Sequence, residues 1–204
     1  MTLIRAISLL CIAVLGIGGC NAGNPPPAET DADYVTQIQI ARTELDEQFR
    51  KQPNQPVPPG KMNEFLPLKY FPPDPEYVVP ASLIPASERI VVDMPTSTGK
   101  VRKQQRVGVL EFTLKGQPLT LGAFVEAGAD LNRLFVPFSD MTSGTETYAA
   151  GRYLELDRTA SGVYTIDFNK AYNPYCYYNA DFDCPYPPRE SRLPLPIRAG
   201  ERLP

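Results

Sequence analysis

From Tyr77 onward the chain is written as short runs of β-forming residues, separated by turns too short to hold a crossover. Eight such runs can be marked: Tyr77 to Leu83, Arg89 to Asp93, Val101 to Val107, Gly108 to Leu114, Leu119 to Glu126, Leu134 to Val136, Arg152 to Leu156 and Val163 to Phe168. Between them Ser97-Thr98-Gly99-Lys100, Lys115-Gly116-Gln117 and the stretch 159 to 162 have hairpin-turn composition. Parallel neighbours need connections of a dozen residues or more, so strands spaced this closely must pair antiparallel. The expected fold is therefore mainly β, an antiparallel meander closing as a barrel or a sandwich.

The flanks read differently. Tyr34, Ile38, Ala41, Leu45 and Phe49 recur at steps of four and three, which puts them on one face of an N-terminal amphipathic helix. Asp31 or Asp33 is placed to cap it, and Pro53 forbids its continuation. Gln52 to Pro59 is a proline linker, and Phe65 to Tyr77, broken by Pro67, Pro72, Pro73 and Pro75, should run extended over the surface. After Phe168 no period is evident. Asn169 to Pro204 is rich in proline and tyrosine and is expected to wrap the β core, with rings packed and hydroxyls partnered.

The N-terminus assigns a compartment. Arg5 precedes an apolar stretch from Ala6 to Ile17 that ends at Gly18, Gly19 and Cys20, the order of a cleavable secretory signal. The run is shorter than the roughly 20 residues a membrane span needs. Ile17-Gly18-Gly19-Cys20 resembles the lipobox of bacterial lipoproteins, which implies diacylglyceryl attachment at the Cys20 thiol. Asn21, rather than Asp, follows the cysteine, which by the same resemblance points to the outer membrane, facing the periplasm. The expected organisation is a signal peptide over 1–19, a lipidated cysteine and flexible tether over 20–33, and one globular domain over 34–204. The membrane is thus an expected partner, through the lipid.

Composition restricts the chemistry. The formal net charge of −3 and the lack of any long basic run argue against nucleic acid as a partner. Lys100, Arg102, Lys103 and Arg106 read as surface on a solvated hairpin. With no histidine anywhere, the usual general base and the commonest transition-metal ligand are missing, and no cofactor is implied. Cys176 and Cys184 lack zinc-knuckle spacing and, in an exported domain, are expected to form a disulfide; a reactive thiol pair is the sharper alternative. Asn179, Asp181, Asp183 and Glu190 have the spacing of a calcium loop, but Cys184 stands where that loop turns on Gly and prolines follow, so a solvated acidic turn and no metal is expected. Ser143 with Lys170 could form a nucleophile and amine base only if the lysine were buried.

Phe135-Val136-Pro137-Phe138-Ser139-Asp140-Met141-Thr142-Ser143-Gly144, then Glu146-Thr147-Tyr148 and Gly151-Arg152-Tyr153-Leu154, is similar to the hallmark of an uncharacterised bacterial family known only as a domain of unknown function. The match continues through Asp167-Phe168-Asn169-Lys170-Ala171-Tyr172-Asn173-Pro174-Tyr175-Cys176, Cys184-Pro185, Pro187-Pro188 and Ile197-Arg198-Ala199-Gly200-Glu201, with a weaker stretch at Leu68-Lys69-Tyr70-Phe71. The resemblance implies a domain boundary and candidate positions but no reaction. Ser191 stands where that family commonly has Asn.

The candidate ligand-binding residues are Asp140, Thr142, Ser143, Glu146, Tyr148, Arg152, Asp167, Asn169, Tyr172 and Asn173, crowded into connections where Gly144 and Gly151 permit unusual backbone angles. Arg152 discriminates: its planar fork either clamps Asp140 or Asp167 internally or points at an anionic ligand. Two functions are expected in competition. One is a non-catalytic envelope lipoprotein whose β-domain binds a small ligand or an envelope protein, or is structural. The other is a histidine-free, carboxylate-based hydrolase acting on a small or glycan-like envelope substrate.

Overall fold

The computed structural model describes residues 30–51, 56–128 and 132–204. The signal sequence, Cys20 and residues 21–29 of the expected tether lie outside the described residues, while residues 31–33 of that tether are helical. A helix α1 (Asp31–Lys51) leads into six strands: β1 (Val78–Pro95), β2 (Val101–Leu114), β3 (Gln117–Glu126), β4 (Arg133–Phe138), β5 (Arg152–Asp157) and β6 (Val163–Asp167). They form one antiparallel sheet in the order β5-β4-β3-β2-β1-β6, curled into a nearly closed barrel. Among the described residues no helix is long and apolar enough to cross a membrane.

Alternation accounts for the barrel interior. Leu110 faces Leu121 and Phe112 faces Leu119 across β2 and β3, while Leu134 faces Leu156 and Val136 faces Leu154 across β4 and β5. On the remaining wall Val79 faces Ile166 and Ala81 faces Tyr164. All are buried, and they join one cluster. The β2–β3 turn is as tight as its composition suggested: Lys115 and Gly116 both take positive φ, 50° and 76°, the backbone of a two-residue hairpin loop.

Two pairs of expected strands are each a single bent strand. The runs ending at Leu83 and starting at Arg89 both belong to β1, and those that meet at Val107 and Gly108 both belong to β2. The register slips between Pro85 and Ile90 on β1 and between Arg106 and Gly108 on β2. A bulge inserts one residue on one side of a ladder, so side chains beyond it change face. Inward alternation on β2 passes through Leu110 and Phe112, yet Arg102, Gln104 and Arg106 stand on the outer face, with Gln104 opposite Glu126. Gly108 permits the pinch, since a Cβ there would meet the Ile84 carbonyl oxygen at 2.2 Å.

The expected helix starts earlier than its first apolar residue. Thr30, rather than Asp31 or Asp33, is the cap: its hydroxyl oxygen accepts from the Asp33 amide at 3.2 Å, and the Asp33 carboxylate accepts from the Thr30 amide at 3.2 Å. This reciprocal pair satisfies two donors of the open helix end. The carboxyl of Asp33 is held below its usual range by the Thr30 hydroxyl.

The C-terminal wrap has a period after all. Ser191, Leu193, Leu195, Ile197 and Ala199 are buried, alternating with Arg192, Pro194, Pro196 and Arg198 on the more open side. Leu193, Leu195, Ile197 and Ala199 all join the barrel core. Pro194 and Pro196 lack the N–H a ladder needs, but neighbouring groups still pair: Leu193 N–H donates to Ser139 at 2.8 Å, and Met141 N–H to Leu195 at 3.3 Å. At the Ser191 position the hydroxyl is fully buried and accepts from the Gly122 amide at 3.3 Å.

Candidate functional site

The candidate residues separate into three places. The first is a buried knot at the start of β5. Arg152 is wholly buried, and its NH2 donates to Asp140 Oδ2 at 3.0 Å and to the Ile197 carbonyl at 2.7 Å. Its NH1 donates to the Glu201 carbonyl at 2.9 Å and also to that of Ala199. Asp140 Oδ1 in turn accepts from Thr142 N at 2.8 Å, Thr142 Oγ1 at 2.6 Å and Ile197 N at 3.1 Å. Ser143 Oγ accepts from the Asp140 amide at 3.1 Å, and Thr142 Oγ1 meets Thr147 Oγ1 at 2.9 Å. Of the two carboxylates open to it, Arg152 takes Asp140. Burial pushes its guanidinium down and Asp140 holds it up.

Glu201, which the residue pattern did not single out, sits beside this knot. It is 2% exposed, and its Oε2 accepts from Asn173 N at 2.8 Å and from the Tyr178 hydroxyl at 2.6 Å. Burial pushes its carboxyl up to about 7, against the pull of Tyr178, Asn173 and Arg152. The alternation Leu193-Leu195-Ile197-Ala199 was the available signal, since it carries the chain inward to this point.

The second place is the seat of α1. Asp167 Oδ1 accepts from the Tyr34 hydroxyl at 2.8 Å and from Asn169 N at 3.0 Å, while Lys170 reaches Asp167 Oδ2 at 3.4 Å from the solvent side. Asn169 exchanges hydrogen bonds with the Asp74 backbone at 2.9 and 2.8 Å. Arg42 donates to the Phe71 carbonyl at 2.9 Å and the Asn169 carbonyl at 3.3 Å, with its guanidinium 4.3 Å from the Tyr70 ring centre. Lys170 is exposed and tied here, while Ser143 lies in the Asp140 turn, so the two do not meet. Glu146 stands apart from both networks, on the surface in a two-pronged pair with Arg198 at 2.9 Å.

The third place is an open groove of about 390 Å³ on the outer face of the sheet. Its floor is Arg102 and Gln104 from β2, Glu126 from β3, Phe135 from β4, and Tyr153 and Glu155 from β5. The wrap forms the opposite wall with Tyr172, Pro174, Tyr175, Phe182, Asp183, Cys184 and Pro185. Tyr172 alone among the expected ligand residues lines it. The wall is pinned to the edge of β5, where Tyr153 and Tyr172 exchange backbone hydrogen bonds at 2.9 and 3.1 Å. Rings meet edge to face on both sides, Phe135 with Tyr153 at 4.7 Å between centres on the floor and Tyr175 with Phe182 at 5.4 Å on the wall.

Gln104 is the polar feature of that floor. It is 4% exposed, yet its Oε1 has no hydrogen-bond partner. Buried polar atoms are normally paired, and an unpaired one costs about 1–3 kcal/mol. Other buried unpartnered atoms occur at Arg42 Nε, Tyr70 Oη, Arg152 Nε and Asn173 Oδ1, but none of these lines the groove. Sequence reasoning missed Gln104 because the bulge beside Val107 decides which face it takes; Gly108 inside a strand pattern was the one hint. Of the basic run, Arg102 is half-exposed and pairs with Asp183 at 3.3 Å, Lys103 with Asp93 at 3.0 Å and Arg106 with Glu190 at 3.6 Å.

At the groove wall the expected disulfide is replaced by two free thiols, both buried. Cys176 N–H donates to Cys184 Sγ at 3.1 Å, so that sulfur is engaged as an acceptor. The Cys184 thiol, with the Ser97 and Tyr148 hydroxyls, holds Cys176 below the usual thiol range, and the same contact with Cys176 pushes Cys184 up. Tyr148 packs on Tyr177 with ring centres 5.1 Å apart. The calcium-like spacing is spent on turns: Asn179 Oδ1 accepts from Asp181 N at 3.0 Å, and Asp183 is held by Thr98 and Arg102. Among the described residues no cluster of His, Cys, Asp and Glu is arranged to hold a metal.

Comparison with known proteins places this architecture. A solution NMR structure of an uncharacterized protein from Haloarcula marismortui is similar at a TM-score of 0.67 and 39% identity, over 84% of this chain and 95% of that one. A search of the curated proteins finds no match. The family model described as "Protein of unknown function (DUF1684)" matches residues 63–202, which takes in all six strands, the Arg152 network and the groove, but not α1 with Tyr34 and Arg42. The chain belongs to that family.

Proposed function

We propose that this protein is an envelope lipoprotein whose β-domain is a non-catalytic binding module, taking a small ligand in the groove between the outer sheet face and the C-terminal wrap. The observation that carries the binding half is Gln104, a buried acceptor left unpaired on the floor of an aromatic-lined cleft. Ligand sites are typically apolar concavities with a few placed polar groups, and 390 Å³ is within their usual size of about 300–1,000 Å³. The carboxylates that a hydrolase would need free, Asp140 and Asp167, are committed to internal partners.

A thermal-shift screen of the purified full-length protein tests the binding half. Gln104→Leu removes the unpaired acceptor at nearly constant volume, so it should leave the melting temperature unchanged or raised while abolishing ligand-induced stabilisation. A Gln104→Leu protein that melts well below the wild type would mean Gln104 serves the fold instead. The lipoprotein half rests on Ile17-Gly18-Gly19-Cys20. Cys20→Ala should move the protein out of the membrane fraction, and a Cys20→Ala chain that stays membrane-bound through a high-salt wash would overturn it.

A further inference from the structure

We infer that the ligand of this groove is an organic cation, a protonated amine carried on an aromatic or aliphatic body. The inference rests on the binding reading above and concerns what the cleft can satisfy.

Several of its donors are already spent. The Tyr153 hydroxyl donates to the Pro185 carbonyl, the Tyr172 hydroxyl donates to Glu155 at 3.1 Å, and Arg102 Nε donates to Asp183 at 3.3 Å. Beside the donors that remain on Arg102, Gln104 and Tyr175 stands an excess of negative charge. Gln104 Oε1 is a buried carbonyl oxygen without a donor, and three carboxylates, Glu126, Glu155 and Asp183, face one cation, Arg102. Arg102 offsets Asp183, and Arg133, outside the lining, offsets Glu155 at 2.9 Å; Glu126 opposes no basic residue of the lining.

A ligand matched to such a surface brings N–H donors and positive charge and few acceptors of its own. A carboxylate or phosphate would meet like charge, and a neutral sugar would leave the excess of carboxylates without a counter-charge. The walls add to the selection, because the negative ring faces of Tyr and Phe attract ammonium groups, most strongly where water is displaced. Tyr172, Tyr175 and Phe182 on the wrap and Phe135 on the floor supply those rings, and two proline rings extend the apolar surface. One ammonium N–H on Gln104 Oε1, with the charge toward Glu126 and the body along the rings, supplies both the missing donor and the missing counter-charge.

The test uses the full-length protein in detergent and a matched set of probes: 2-phenylethylammonium and butylammonium, the neutral 2-phenylethanol, phenylacetate and a methyl glycoside, followed by saturation-transfer NMR and calorimetry. The ammonium ions should bind at least about tenfold more tightly than the alcohol, phenylacetate and the glycoside should not bind, and affinity should fall with added salt. Glu126→Gln should weaken the ammonium ions about tenfold without altering the melting temperature, and Gln104→Leu should remove their binding. If 2-phenylethanol or the glycoside binds as well as the ammonium ions and Gln104→Leu still abolishes it, the groove is a ligand site but the cation assignment is wrong. If no probe binds, or binding is indifferent to Gln104→Leu, the cation assignment and the groove reading fail together.

Discussion

Arg152 shows how a side chain can look like a ligand contact in sequence and be a structural rivet in three dimensions. Its four recorded acceptors, one carboxylate and three main-chain carbonyls, come from two segments distant in the chain. Arg152→Ala should cost roughly 3–5 kcal/mol in chemical denaturation, because Asp140 would stay buried without its partner charge. Arg152→Lys should recover little of this, since an ammonium has three donors for four acceptors and no planar fork. A variant with wild-type stability would remove Arg152 from the fold's framework. Glu201 supplies a second test. Burial pushes its folded carboxyl up to about 7, from an ordinary value of 4.5, so the native state holds that proton more tightly than the unfolded chain. The sign follows from linkage: its contribution is fully present below about pH 4.5, declines as pH rises toward 7 and is lost above that. Glu201→Gln keeps an acceptor for Tyr178 and Asn173 and cannot ionise, so its melting temperature should gain on the wild type between pH 5 and pH 8. Parallel pH profiles for the two proteins would contradict the assignment.

At the scale of elements, α1 is attached by a few polar contacts rather than by the barrel core. Ile38 and Phe49 are its buried side chains, and Phe49 packs in a separate small cluster with Leu66, Leu68 and Tyr178. The rest of its seat is Tyr34 on Asp167, Arg42 on two carbonyls, and Asp46 accepting from Leu68 N at 2.8 Å. Elements held this way open at lower free energy than the strands beneath them. Arg42→Ala should therefore speed amide exchange along α1 while leaving β2 and β3 protected; uniform loss of protection would show that helix and barrel unfold as one. The amphipathic pattern that placed this helix was readable because a helix seats its inward face by local period alone. Thr30 caps it instead of Asp31 or Asp33, since Thr30 and the acidic positions after it are all acceptable N-terminal residues and only the folded backbone decides which closes the turn.

The whole molecule is held shut by a segment that is not a strand. Leu193, Leu195 and Ile197 enter the barrel core from the last twelve residues, and three carbonyls from the same stretch complete the Arg152 knot. Burying three such side chains is worth about 5–9 kcal/mol, comparable to the entire net stability of a typical domain, about 5–15 kcal/mol. A chain ending at Arg192 should lose its cooperative thermal transition, followed by circular dichroism and calorimetry. If it melts sharply within a few degrees of the intact protein, the wrap is a surface covering and not part of the core.

The antiparallel β core, the N-terminal helix and the aromatic packing of the C-terminal wrap were legible in the residues, because turn composition, period and apolar content act over a few positions. Leu110, Phe112, Leu119 and Leu121 declare their common face by alternation alone. The candidate site was only partly legible. Asp140, Arg152, Asp167 and Asn169 were recognisable as a polar concentration, but whether they faced each other or a ligand depended on Ile197, Ala199 and Glu201 arriving from far along the chain. The groove lay further from view. It exists because a one-residue slip beside Val107 turns Arg102 and Gln104 outward and because Tyr172 pairs with Tyr153 to raise a wall opposite them. Register and long-range pairing are properties of two segments at once, and so they were decided only when the chain closed on itself.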